Sequence, residues 1–182
     1  MDNASLLKER TGRIRKSVNI DKPDRVPVVL EYSAFAAQVT GVSMADFVSA
    51  PARATQTMIQ AYRLVGDADA INYGSFSPYG LSYHFGAKVR VPGVDLPSDQ
   101  IWQVLESQIM TRGDYDQILE LGWKEFFQAF LSSRVFDDAE TSLLPENQKR
   151  IDVLSLWAQE GIPVLNGGTV TSPFELLCGA RS

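Results

Sequence analysis

Three short apolar runs, each ended abruptly by a polar residue, set the strongest limit on what this chain can fold into. Val26-Pro27-Val28-Val29-Leu30 stops at Glu31, Ala68-Asp69-Ala70-Ile71 stops at Asn72, and Ile162-Pro163-Val164-Leu165 stops at Asn166. Runs of four or five residues that lack a clean in–out alternation read as strands buried on both faces, the habit of parallel sheets. Helical patterns lie between them, and alternation of strand and helix argues for a parallel sheet with helices outside. In such sheets the carboxyl ends of the strands face the ligand. Glu31, Asn72 and Asn166 are therefore the residues to watch.

The helices announce themselves by their ends. Residues 4–19 carry Leu6, Leu7, Ile14 and Val18 among charges. Ser43 stands three residues before Asp46, so its oxygen can accept from a free backbone N–H while the carboxylate favours the first turn. Pro51 suits the first turn of a helix over 52–65, with Met58, Ile59, Tyr62 and Val65 on one side and Gly66 as its stop. Tyr73 to Phe85 is rich in Gly, Ser and Tyr and reads as a long loop. Lys88 to Val91 and Ile101 to Glu106 alternate like a hairpin around Pro92-Gly93 and Pro97-Ser98. Thr111-x-x-Asp114 caps a helix that ends at Gly122, and a second runs from Trp123 to about Leu131. Gln148 to Glu160 repeats Ile151, Leu154 and Trp157 at helical spacing and stops at Gly161. Ser172-Pro173 opens a further helix after the third strand.

Composition excludes several classes. The chain has 182 residues and a formal charge of −5, with both signs interspersed. The denser basic stretch of Lys8, Arg10, Arg13, Arg15 and Lys16 reads as a solvated helix face, so a nucleic-acid partner is not expected. No apolar run is long enough for a membrane span, and the polar N-terminus lacks a secretory core. The single Cys178 agrees with a reducing cytoplasm and reads as a packed thiol. With one histidine, His84, and one cysteine, no bound cofactor or metal is expected for this chain alone.

At Asp21-Lys22-Pro23-Asp24-Arg25-Val26-Pro27-Val28 the chain resembles the opening of the uroporphyrinogen decarboxylase family, which also contains the methylcobalamin:coenzyme M methyltransferases and related corrinoid-dependent O-demethylase components. The resemblance continues through Gly66 to Ile71, Gly86 to Arg90 and Thr111-x-x-Asp114-Tyr115. It closes on Gly167-Gly168 and Pro173-Phe174-Glu175-Leu176. The fold it implies is the N-terminal portion of a TIM-type (β/α)8 barrel. That portion comprises about three barrel strands plus a hairpin-containing insertion, since a closed barrel needs eight strands and typically about 250 residues. On this reading residues 1–22 are the N-terminal helix and 26–72 the first strand–helix–strand unit. Residues 73–146 are the insertion, and 147–182 the next helix, third strand and start of a helix.

The resemblance also separates two chemistries. The family's decarboxylases carry a pair of arginines after the first strand, for the substrate's carboxylates, and an aspartate after the second. Here those regions read Glu31-Tyr32-Ser33-Ala34-Phe35-Ala36-Ala37-Gln38 and Asn72-Tyr73-Gly74-Ser75-Phe76, with no arginine in the first and no carboxylate in the second. The methyltransferase branch needs neither, and uses zinc to present an acceptor thiolate at neutral pH. Its zinc ligands belong to the barrel's second half, beyond Ser182. The resemblance thus implies corrinoid-dependent methyl transfer in the intact protein, with zinc and a corrinoid as cofactors. A corrinoid protein or a small methyl acceptor would be its partner, and the present chain is expected to be inactive alone. Two alternatives remain open. One is a decarboxylase relative that binds a tetrapyrrole through other residues. The other is a non-catalytic half-barrel that self-associates through an exposed sheet edge.

The substrate-binding candidates are Glu31 and Tyr32 after the first strand, Asn72, Tyr73 and Ser75 after the second, and Asn166, Gly167 and Gly168 after the third. Each has a bland alternative: a solvated loop carboxylate for Glu31, a tight turn for Gly167-Gly168. His84 reads as a packing or surface histidine. Asp67 and Asp69 lie at the opposite end of their strand and read as capping or solvated residues. Trp102, Trp123 and Trp157 are spaced for packing.

Overall fold

A computed structural model describes residues 2–105, 107–136 and 152–165. They form two compact units, one of residues 2–76 with 152–165 and one of residues 77–136.

The first unit is mixed α/β. Helix α1 (Asn3–Val18) is capped by Asp2, whose carboxylate accepts from the Ser5 N–H at 2.9 Å. Strand β1 (Val29–Glu31) follows, then α2 (Ala34–Thr40), α3 (Met44–Val48) and α4 (Pro51–Val65). Strand β2 (Ala70–Asn72) lies between β1 and a later strand, Val164–Leu165. Both pairings are parallel: Val29, Leu30 and Glu31 face Ala70, Ile71 and Asn72, while Ile71 and Asn72 face Val164 and Leu165. Among the described residues these strands do not close a barrel. The central strand explains the continuous apolar pattern, for Ala70 and Ile71 have no exposed surface.

Helix α4 supplies seven buried residues to the first unit's interior. Ala54, Met58, Ala61 and Tyr62 are buried, and Thr55 and Thr57 are tolerated inside because their hydroxyls donate to the carbonyls of Pro51 and Arg53 one turn back. Val65, expected on the same face, is exposed instead, being the last residue of the helix. Helix α2 is an element that sequence reasoning missed. It is short, Ser33 gives it no side-chain cap, and its buried residues are the small Ala36 and Ala37; only Gly41, in the left-handed region at φ 71°, marks its end.

The second unit begins with α5 (Pro78–Phe85), where a long loop was expected; the Tyr73 to Phe85 reading is corrected accordingly. Pro78 and Ser82 are buried there, so packing overrides a loop-like composition. Strands β3 (Val89–Arg90) and β4 (Gln103–Val104) make the expected antiparallel hairpin. The Asp95 carboxylate accepts from the Val91 N–H at 2.9 Å in the turn between them. Helices α6 (Arg112–Leu121) and α7 (Trp123–Phe130) are followed by one π-helical turn at Leu131–Val135. Their core is Met110, Phe126, Phe127, Phe130, Leu131, Val135 and Phe136. Trp123 stacks on Phe127 with ring centroids 4.7 Å apart.

Helix α8 (Val153–Gln159) and strand β5 (Val164–Leu165) return to the first unit. Trp157 of α8 is fully buried, with its ring edge-on to Tyr62. Leu154, placed on the inner face by its spacing, is exposed, and Ile151 lies outside the described residues. Among the described residues no helix is long and apolar enough to cross a membrane.

Candidate functional site at the carboxyl edge of the parallel sheet

The register of β1 on β2 sets Glu31 beside Asn72 at the carboxyl edge of the sheet. The side chains join: Asn72 Nδ2 donates to Glu31 Oε2 at 2.8 Å. Glu31 is exposed and Asn72 half-buried, so the amide fixes a carboxylate that still meets solvent. Such a pair can accept a hydrogen bond from a neutral or cationic group, and it opposes an anionic one.

The neighbouring candidates diverge. Tyr32 turns back into the unit, its hydroxyl donating to the Met58 carbonyl at 2.7 Å and its ring edge-on to Phe35. Burial pushes the Tyr32 phenol above its ordinary range, so it stays protonated. Ser75 likewise faces inward and donates to the Pro51 carbonyl at 3.0 Å. Tyr73 is 44% exposed and stands in the left-handed region at φ 59°, an uncommon conformation for a bulky side chain. Asn166, Gly167 and Gly168 lie outside the described residues, as does Cys178. Glu31, Asn72 and Tyr73 thus remain at the edge, while Tyr32 and Ser75 tie it to α4.

The opposite, amino edge of the sheet carries a network of five charged side chains, Glu9, Arg13, Asp24, Arg25 and Asp69. Asp69, which sequence reasoning assigned to capping or solvation, has no exposed surface. Arg13 Nη1 donates to its Oδ1, Arg25 donates twice at 2.7 and 2.8 Å, and the Val28 N–H donates at 2.8 Å. Arg13 continues outward to Asp24 at 2.6 and 2.8 Å and to Glu9 at 2.7 Å. The hydrogen bonds from Arg13 hold the Asp24 carboxyl down at about 2, and those to Asp24 and Glu9 raise Arg13 above its ordinary value. Part of the supposed solvated basic face of α1 is therefore a buried anchor. The sequence clue was an acidic residue inside an apolar run together with Arg25 just before the preceding strand. In parallel α/β folds a network at the amino edge of the sheet serves stability, while ligands gather at the carboxyl edge.

No family model, no curated protein and no solved structure matches the chain. Among the described residues no three His, Cys, Asp or Glu side chains are grouped to hold a metal ion. A catalytic zinc takes three protein ligands, and this edge offers one carboxylate and one amide. His84 lies in the second unit, edge-on to Phe85. The donors described at this edge, one carboxylate and one amide, do not by themselves fit a zinc ion.

Proposed function

We propose that this chain forms the first three strands of a (β/α)8-type barrel of the uroporphyrinogen decarboxylase-like kind, on its corrinoid-dependent methyl-transfer branch. The carboxyl edge of β1 and β2 is then one wall of its ligand site. The observation that carries this reading is the Glu31–Asn72 pair, in register on parallel strands, with Glu31 closing the first strand where the decarboxylases go on to arginines for their polycarboxylate substrate. A carboxylate there repels a polyanion. It accepts hydrogen bonds from carboxamides, which fringe a corrin ring. In this reading Glu31 binds and orients, Asn72 holds Glu31 in place, and any zinc is supplied by residues other than those described.

Equilibrium dialysis against methylcobalamin and, separately, uroporphyrin tests it. Methylcobalamin is retained and uroporphyrin is not, and Glu31→Gln weakens retention by roughly tenfold, the worth of one hydrogen bond to a charged acceptor. Tighter binding of uroporphyrin would move the chain to the decarboxylase side. Binding of neither would remove the ligand-wall reading.

A further inference from the structure

The bend that carries Tyr73 is held from a distant part of the chain. Gly74, the next residue, is buried, and its carbonyl accepts from the Trp157 indole Nε1–H at 2.7 Å across 83 residues of sequence. No other residue type fits at Gly74. A Cβ there would lie 2.6 Å from Val153 Cγ1 and 2.7 Å from Trp157 Nε1, closer than non-bonded atoms approach. Helix α8 therefore presses directly on the backbone just past the sheet's carboxyl edge. The indole is itself immobilised, fully buried and edge-on to Tyr62 of α4.

Tyr73 needs such a hold. Its φ of 59° is disfavoured for a side chain with a Cβ and persists only where the surroundings impose it. Asn72, immediately before, is the last residue of β2 and has Glu31 as its register partner on one side and Leu165 on the other. The chain must leave the sheet within one residue to place Gly74 under the indole, and the left-handed turn at Tyr73 makes that exit.

We infer that Trp157 is a positioning residue for the candidate site: its hydrogen bond to Gly74 imposes the left-handed turn at Tyr73 and so sets the orientation of Asn72 toward Glu31. This rests on the reading of that edge as the ligand wall only for its purpose, because the coupling itself is measured without ligand. The reporter is the Asn72 side-chain amide in nitrogen–proton correlation spectra, assigned by its shift in Glu31→Gln. Trp157→Phe keeps an aromatic ring and removes the donor. It lowers Tm by a few degrees and moves the Asn72 signal. Adding Tyr73→Gly returns the signal toward its original place, since glycine takes positive φ without being held, while Tm stays low. Tyr73→Gly alone leaves the Asn72 signal in place, because the Trp157 hydrogen bond still holds the bend.

An unmoved Asn72 signal in Trp157→Phe, or no return in the double variant, reduces Trp157 to core packing and overturns the inference. Should Trp157→Phe fail to fold, replacing Trp157 by its sulfur isostere benzothienylalanine decides, since the ring volume is kept and the donor is lost, and an unmoved Asn72 signal there overturns the inference. A chain that behaves as expected but retains no methylcobalamin would refute the ligand wall and leave the coupling standing.

Discussion

Asp69 shows how one side chain can be misread when its partners are far away in sequence. It follows Asp67 and precedes a strand, so local context alone points to solvation. In the folded unit it has no exposed surface and receives four donated hydrogen bonds, from Arg13, twice from Arg25, and from the Val28 N–H. Water is replaced by fixed donors, and those donors join α1 and the segment before β1 to the start of β2. Removing the carboxylate breaks the innermost pair of the buried Arg13, which keeps only the exposed Glu9 and Asp24, and leaves Arg25 and the Val28 N–H without their acceptor. Asp69→Ala is expected to cost about 3–5 kcal/mol of unfolding free energy by urea denaturation. Asp24→Ala is the control. Its carboxyl is also held at about 2 by Arg13, yet it is exposed, and its loss changes stability little. Equal losses at the two positions would mean that burial of Asp69 adds nothing.

At the scale of elements, what was legible was whatever carries its own local chemistry. Pro51 and Gly66 bound α4, Ser43 caps α3 through the Asp46 N–H at 3.1 Å, and Thr111 with Asp114 opens α6. Helices α2 and α5 have no capping side chain, and long-range packing decides them, which a single sequence does not display. The candidate site divides the same way. A polar residue closing an apolar run placed Glu31 and Asn72 at strand ends. Their hydrogen bond depends on register, and the Trp157–Gly74 contact depends on the fold.

Asp114 adds an interaction of the second kind to a legible cap. Its carboxylate accepts from the Thr111 N–H and hydroxyl and from Arg134 at 2.7 and 2.8 Å, and Arg134 foremost holds it down at about 2. Because the folded value lies below the ordinary 3.8, its contribution is complete above that pH and is lost as pH falls from 3.8 toward 2. Melting curves across that range should show a loss of Tm that is smaller in Asp114→Asn. Parallel loss in both chains would assign the acid sensitivity to other groups.

Over the whole molecule the chain keeps two separate interiors. In the first unit β2 is the buried middle strand, with the Asp69 network at one edge of the sheet and the Glu31–Asn72 pair at the other. In the second an aromatic cluster of Phe126, Phe127, Phe130 and Phe136 is fastened by Arg134 to Asp114. Each has its own apolar core and its own buried ionic fastening, the two features that let a region open independently. Hydrogen exchange read by mass spectrometry should resolve them. Asp69→Ala strips protection from β2 and α4 and leaves α7 as it was. Phe127→Ala, a core truncation worth about 3–5 kcal/mol, does the reverse. Loss of protection in both units from either substitution would show a single cooperative body. The candidate site would then share its stability with the aromatic cluster and not with the sheet alone.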